Sequence, residues 1–151
     1  MSKEQFMENK IPIIFRDYFI IKNMLEINVN LKTSNPFGSL LNEKGNGIYF
    51  SLEEDIKFGA ILEFKKGFGK RGNHFHKIKE EYFYIITGVL FITIWFPEDE
   101  KNKFSIYANA NNLMILKPGL AHSIEAIENS LVFEFSPNIF NIEDTFYPKQ
   151  E

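Results

Sequence analysis

The chain of 151 residues has no cysteine at all. Disulfides, thiolate metal sites and a cysteine nucleophile are therefore excluded, and the absence suits a reducing compartment. Clustered charge of one sign is also missing. The 17 basic and 20 acidic residues are interspersed, for a net charge of −3. No basic stripe or Arg-rich helix is present, so a nucleic-acid partner is not expected. Long apolar runs are lacking too. Met1 to Lys10 is polar and carries no apolar core of a signal peptide. The most apolar early stretch, Ile11 to Ile27, is interrupted by Arg16, Asp17, Lys22 and Glu26, and is too broken to span a bilayer. These absences predict a soluble, cytoplasmic protein with no membrane partner.

With 44% hydrophobic and 25% charged residues the chain is of ordinary globular composition, and its length fits one domain with a real core. There is no internal repeat, low-complexity tract or Pro/Ser-rich linker to mark a second domain. Strand signals dominate from the middle onward: Gly59 to Phe64, Glu81 to Ile86, Val89 to Phe96, Phe104 to Tyr107, Leu113 to Leu116 and Leu131 to Phe135. Turns separate them at Lys65-Lys66-Gly67, Thr87-Gly88, Pro97 to Asn102, Lys117-Pro118-Gly119 and Glu128-Asn129-Ser130. Short strands at this spacing, without a long helical period, predict an all-β sandwich or barrel. The first fifty residues are less regular. Ile11 to Phe15 and Ile27 to Leu31 read as candidate strands, with a helix over Asp17 to Leu25 as the competing possibility. The organisation expected is an N-terminal arm or set of strands over 1–50 packing on a barrel over 51–151, which ends in a C-terminal tail.

All three histidines fall in two short segments, Arg71-Gly72-Asn73-His74-Phe75-His76 and Pro118-Gly119-Leu120-Ala121-His122. On a strand, residues i and i+2 share a face, so His74 and His76 project together. Two such imidazoles, with a carboxylate from the next strand (Glu80 or Glu81) and a third histidine, His122, from another hairpin, make a donor set for a divalent metal. Two histidines at this spacing can also be plain polar residues on a half-exposed strand. The surrounding glycines, the acid beyond the second histidine and the later Pro-Gly-x-x-His favour a site.

Taken together, the two segments resemble the signature motifs of the cupin superfamily, whose fold is a double-stranded β-helix, or jelly-roll barrel. The first motif matches at His74, His76, Glu81 and Gly88; Glu80 is the alternative acid, but the six-residue gap to Gly88 selects Glu81. The second is looser: Pro118 and Gly119 are adjacent, and Ala126 stands where the usual Asn would be. A narrower likeness rests on Arg71-Gly72-x-His74, which is similar to cupin enzymes acting on nucleotide-linked 4-keto sugars, the 3,5-epimerases and 3,4-ketoisomerases. The longer string through His76, Lys79, Glu81 and Phe83, the contracted Pro118-Gly119-x-x-His122 and the tail from Asn138 to Phe146 resemble the C-terminal cupin of capsular polysaccharide epimerase/reductases. The likeness covers roughly Phe64 to Phe146.

The resemblance implies an isomerase or epimerase of surface polysaccharide biosynthesis. Its chemistry would be proton transfer next to a ketone, with Arg71 on a phosphate of the nucleotide-sugar. It implies two incompatible roles for His74. In metal-free sugar isomerases the matching residue is the base, and in the capsular type it is a zinc ligand; a ligated nitrogen cannot also take a proton. The complete set His74, His76, Glu81 and His122 favours a metal, Zn first, with Fe, Mn or Ni as other fillings. The base is then another residue, and Glu63, Tyr107 and Glu134 qualify by type. Two other classes stay open: an oxygenase-type metal cupin and a non-catalytic sugar-binding cupin. Tyr82 and Tyr84 should face away from the pocket as packing or homodimer contacts, whereas Phe75, Phe91 and Trp95 read as core.

Overall fold

The computed structural model describes residues 10–148, so nearly all of the polar stretch Met1 to Lys10 lies outside the described residues. Alternation of side chains sets the strands. In β4 (Phe58–Phe64), Gly59, Ile61 and Glu63 face solvent while Ala60, Leu62 and Phe64 turn inward. The next strands are β5 (Lys70–His74), β6 (Glu81–Thr87) and β7 (Val89–Trp95). They are followed by β8 (Phe104–Asn109), β9 (Asn112–Leu116), β10 (Ala121–Ala126) and β11 (Ser130–Ser136). β6 and β7 meet at Gly88, whose φ is +99° and where a Cβ would stand 2.6 Å from the Asn129 carbonyl oxygen. Only glycine fits that turn.

β1 (Phe19–Asn23) begins the first of two antiparallel sheets, ordered β1-β9-β6-β11-β4; the second is ordered β5-β10-β7-β8. Between them lies an apolar core that includes Phe19, Ile21, Ile85, Leu90, Ile92, Ile94, Met114 and Val132. This is the jelly-roll barrel that the cupin resemblance implies, within the sandwich or barrel class expected from the strand spacing. A separate hairpin of β2 (Gly38–Asn42) and β3 (Gly45–Tyr49) precedes it. Ile48, Phe50 and Leu52 then pack with Phe37, Tyr84 and Phe135 on the outer face of the first sheet as a second cluster.

The early segments differ from their sequence reading. Ile11 to Phe15 is no strand, because it closes into a 3-10 turn at Ile13–Phe15 behind Pro12. The possible helix over Asp17 to Leu25 is replaced by β1 and a 3-10 turn at Met24–Glu26. Pairing with β9 decides the matter: it buries Phe19 and Ile21 on one side and sets Ile20 on the other. Tertiary pairing overrides local preference here. Ile27 to Leu31 forms only an isolated bridge, Asn28 to Ser39. No described helix is long and apolar enough to cross a membrane.

Candidate active site

The site lies where β5 runs against β10. Their register shifts between His122 and Ser123, opposite His74 and Gly72. Gly72 has φ +90°, and a Cβ there would lie 2.9 Å from the His122 carbonyl oxygen. Glycine thus permits the close approach that sets His74 beside His122, with ring centroids 4.8 Å apart. Asn73 follows at φ 56°, a left-handed conformation that Asn tolerates.

His76 sits just beyond β5, where the tail returns to hold it. Phe75 and Phe146 exchange backbone hydrogen bonds of 2.9 and 3.0 Å. His76 Nδ1 lies 2.7 Å from the Asp144 carbonyl oxygen. A carbonyl only accepts, so Nδ1 carries the proton and Nε2 presents its lone pair. The Asp144 carboxylate in turn accepts the backbone N–H groups of Lys77 at 2.9 Å, Ile78 at 3.2 Å and Lys79 at 3.0 Å. One residue of the tail therefore orients a histidine and moulds the loop leading to Glu81.

His74, His76 and Glu81 offer ligand atoms that all lie within 4.8 Å of one another. His122 stands beside this trio, its Nε2 3.5 Å from Glu81 Oε2. His76 Nε2 lies against Glu81 Oε1 without the alignment of a hydrogen bond. His76 Nε2, Glu81 Oε2 and His122 Nδ1 are buried with no hydrogen-bond partner among the described residues. A neutral imidazole lone pair facing a carboxylate repels it, so the pair requires a positive charge, either a proton or a metal ion, between them. This donor set fits a divalent cation.

The titration behaviour follows from the same arrangement. Burial, then His122, lowers His74 to about 4, leaving it neutral at pH 7. Burial lowers His122 as well. Burial also works against a charged His76, but the Glu81 carboxylate prevails and raises it. Burial alone would raise Glu81, yet His122, His76 and Lys79 together hold it at about 2. The centre therefore combines a fixed anion with lone pairs.

These side chains line a cavity of about 310 Å³ walled by Phe58, Leu62, Phe64 and Phe140. That size suits a small-molecule site, and its few polar groups converge. A larger depression of about 710 Å³, between Phe75, residues 97–101 and Tyr147, has no histidine in its lining. Arg71 stands at the cavity wall, its Nη1 donating to the Glu63 carbonyl oxygen at 3.0 Å and its guanidinium 4.7 Å from the Phe64 ring centroid. Among the three bases possible by type, only Glu134 lines the cavity. The Glu63 side chain faces outward from β4, and Tyr107 is exposed on β8 beside Phe91.

Sequence reasoning passed over Lys79 and Asp144 as working residues. Lys79 is buried, with Nζ 3.5 Å from Glu134 Oε1 and 3.8 Å from Glu81 Oε1. A lysine two residues before an inward acid was the available signal. Tyr82 and Tyr84 turn away from the pocket, as expected, and of the two roles considered they take up packing within the chain, Tyr84 against Phe50 and Tyr82 against Phe135. Trp95 is buried, whereas Phe75 is half-buried and stacks on Phe146.

No family profile matches the sequence, and no curated protein matches it either. Solved structures do. A 3,4-ketoisomerase from Helicobacter canadensis superposes with a TM-score of 0.67 at 17% identity, covering 85% of this chain and 89% of its own. A variant of the 3,4-ketoisomerase from Thermoanaerobacterium thermosaccharolyticum, in complex with TDP-4-keto-6-deoxyglucose, gives 0.61 at 15% identity over 73% and 82%. The capsular polysaccharide assembling protein CapF from Staphylococcus aureus gives 0.56 at 19% identity over 82% of this chain and 34% of its own. With two antiparallel sheets closed around a histidine-lined cavity, and with these likenesses, the chain has the fold of a single cupin, a jelly-roll barrel.

Proposed function

We propose that the protein is an isomerase of a nucleotide-linked keto-sugar, working by proton transfer beside the ketone, in the assembly of a surface polysaccharide. The observation that carries this reading is the convergence of Arg71 and the His74, His76, Glu81 and His122 cluster on one cavity. The fold shared with 3,4-ketoisomerases and with CapF supports it. Arg71 binds a phosphate oxygen through its planar fork, one N–H of which is already anchored on Glu63. The apolar wall excludes water from the sugar ring, which strengthens every charge interaction inside.

His74, His76, Glu81 and His122 hold a divalent metal, Zn by preference for this N/O donor set. When bound, the ion supplies Lewis-acid polarisation of a carbonyl oxygen. Asp144 orients His76 for that role through the carbonyl contact, as outer-shell acceptors do for ligating histidines. His74, neutral at pH 7, has its lone pair free to ligate.

Two measurements test the reading together. Protein purified without chelator should carry close to one equivalent of zinc by elemental analysis. Incubated with TDP-4-keto-6-deoxyglucose and related nucleoside diphosphate keto-sugars, it should move the ketone or invert a neighbouring centre, as followed by NMR. Oxygen uptake with iron loaded would indicate an oxygenase instead. Binding without turnover across the panel would leave a sugar-binding cupin. Turnover by fully metal-free protein would return His74 to the role of base.

A further inference from the structure

Beyond the histidine cluster, the cavity holds a second pair of ionisable side chains that metal ligation leaves unused. Glu134 comes from β11 and Lys79 from the loop before β6, and their charged atoms lie 3.5 Å apart. Both are secluded, with side chains 12% and 9% exposed. Lys79 Nζ rests 4.6 Å from the Phe58 ring centroid and 5.9 Å from that of Phe140. These rings form a partial aromatic cage that holds the cation in place. Neither carboxylate saturates the ammonium. The distances of 3.5 Å to Glu134 and 3.8 Å to Glu81 exceed the roughly 2.7–2.9 Å of a charge-assisted N–H···O bond. An ammonium has three N–H donors, so one remains for an oxygen of a guest molecule in the cavity.

Burial, with Glu81 nearby, raises the proton affinity of Glu134 above that of an ordinary glutamate. A carboxylate so placed is a better base near neutral pH than a solvated one. Both residues face the cavity that Arg71 borders, so a sugar anchored by its phosphate would present its ring to them.

We infer that Glu134 is the general base of this pocket and that Lys79 stabilises the enolate oxygen formed as Glu134 removes a ring proton. This rests on the isomerase reading above. The Glu134 carboxylate takes the proton from the carbinol carbon beside the ketone. The C–H electron pair becomes the new C=C bond, and the carbonyl π pair moves onto oxygen, where the Lys79 ammonium meets it. Glu134 then returns its proton to the former carbonyl carbon. The proton of the original hydroxyl passes to the new hydroxyl oxygen as the second ketone forms. One carbon is oxidised and its neighbour reduced by the same two electrons, so no external oxidant is needed.

The test uses the whole chain, with TDP-4-keto-6-deoxyglucose in deuterated water and NMR detection of both ketone migration and deuterium at ring carbons. Glu134→Gln should lower kcat at least about 100-fold, as expected for loss of a general base, and abolish deuterium incorporation, while KM and zinc content stay near wild type. Glu134→Asp should retain part of the activity, and Lys79→Arg more than Lys79→Met. Tyr107→Phe, exposed on β8 and outside the cavity lining, should turn over normally. TDP binding by titration confirms that each variant is folded. A Glu134→Gln protein that binds TDP and still exchanges deuterium at the wild-type rate overturns the pair and leaves the isomerase reading intact. Wild-type protein without turnover or exchange on any keto-sugar of the panel overturns both.

Discussion

Replacing Asp144 by alanine removes a carboxylate that accepts three successive backbone N–H groups, those of Lys77, Ile78 and Lys79. Hydrogen bonds to a charged acceptor contribute about 1.5–3 kcal/mol each, and the three are not additive because Lys77 and Ile78 are exposed and water can reach them. A loss of about 2–4 kcal/mol is expected in total, given that Asp144 itself is buried. For a domain of this size that corresponds to a fall in Tm of about 5–15 °C, readable by circular dichroism in metal-free buffer. Asp144→Asn keeps one acceptor oxygen and should lose about half as much. Because the carbonyl that orients His76 belongs to the same residue, loosening this segment should also weaken zinc by about 10–100-fold in a competition titration. An alanine variant that melts within about 2 °C of wild type and binds zinc unchanged would refute the clamp, since even one lost charged hydrogen bond shifts Tm further than that.

Arg71→Ala should weaken TDP binding by roughly 10–100-fold in calorimetric titration, the equivalent of a lost contact of about 1.5–3 kcal/mol, and Arg71→Lys should restore only part of it. Equal binding by wild type and the alanine variant would make the residue a mere surface arginine. Gly72→Ala places a methyl 2.9 Å from the His122 carbonyl oxygen at a φ of +90°, so β5 and β10 must part. A stability loss of about 1–3 kcal/mol and reduced zinc content should follow, and a normal melt would contradict this. Chelator-treated protein should lose stability as pH falls from about 6.5 towards 4. His74, held at about 4, and His122, also lowered, both take up protons more readily when unfolded. The raised His76 acts above that interval, where its stabilisation is lost as pH rises, and is constant across it; a flat melting profile from about 6.5 to 4 would refute the reasoning. Light scattering at micromolar concentration should show a homodimer, for which edge strand β4, with Ile61 69% exposed, offers an apolar unpaired border; a monomer would reject it.

The strands from Gly59 onward were legible because alternation and turn residues agree there with the final pairing. Glu81 and the three histidines could be placed together on the resemblance to the cupin motifs, whose six-residue gap to Gly88 selects Glu81 over Glu80. His76 itself lies beyond the end of β5, so strand alternation alone would not have paired it with His74. The N-terminal third was not legible. Phe19 and Ile21 are inward only because β9, nearly a hundred residues later, pairs with them, and local preference contains no trace of that partner. Lys79 escaped notice because a lysine in a charged run such as Lys77-Ile78-Lys79-Glu80-Glu81 normally lies on the surface, and only the rings of Phe58 and Phe140 reveal why it can be buried. Asp144 acts through its backbone oxygen as well as its side chain, and a backbone contact across 68 residues leaves no residue-type signature. The covering of Tyr82 and Tyr84 depends on where the segment after β3 returns, which composition does not encode.

The contact between Asp144 and His76 also imposes an order on synthesis. His74, His76 and Glu81 are translated well before the tail that fixes the His76 ring and shapes the loop to Glu81. His122 and its bulged strand also arrive late. A nascent chain halted after β9 would have Glu81 paired on β6 but His74 on a β5 still without β10, and so would lack the preorganised donor geometry. The donor geometry is therefore complete only once residues through Asp144 have been made and have folded back onto His76. A frameshift or nonsense change between Ser136 and Asp144 should yield a chain whose barrel strands are all present but whose histidine centre lacks its final brace.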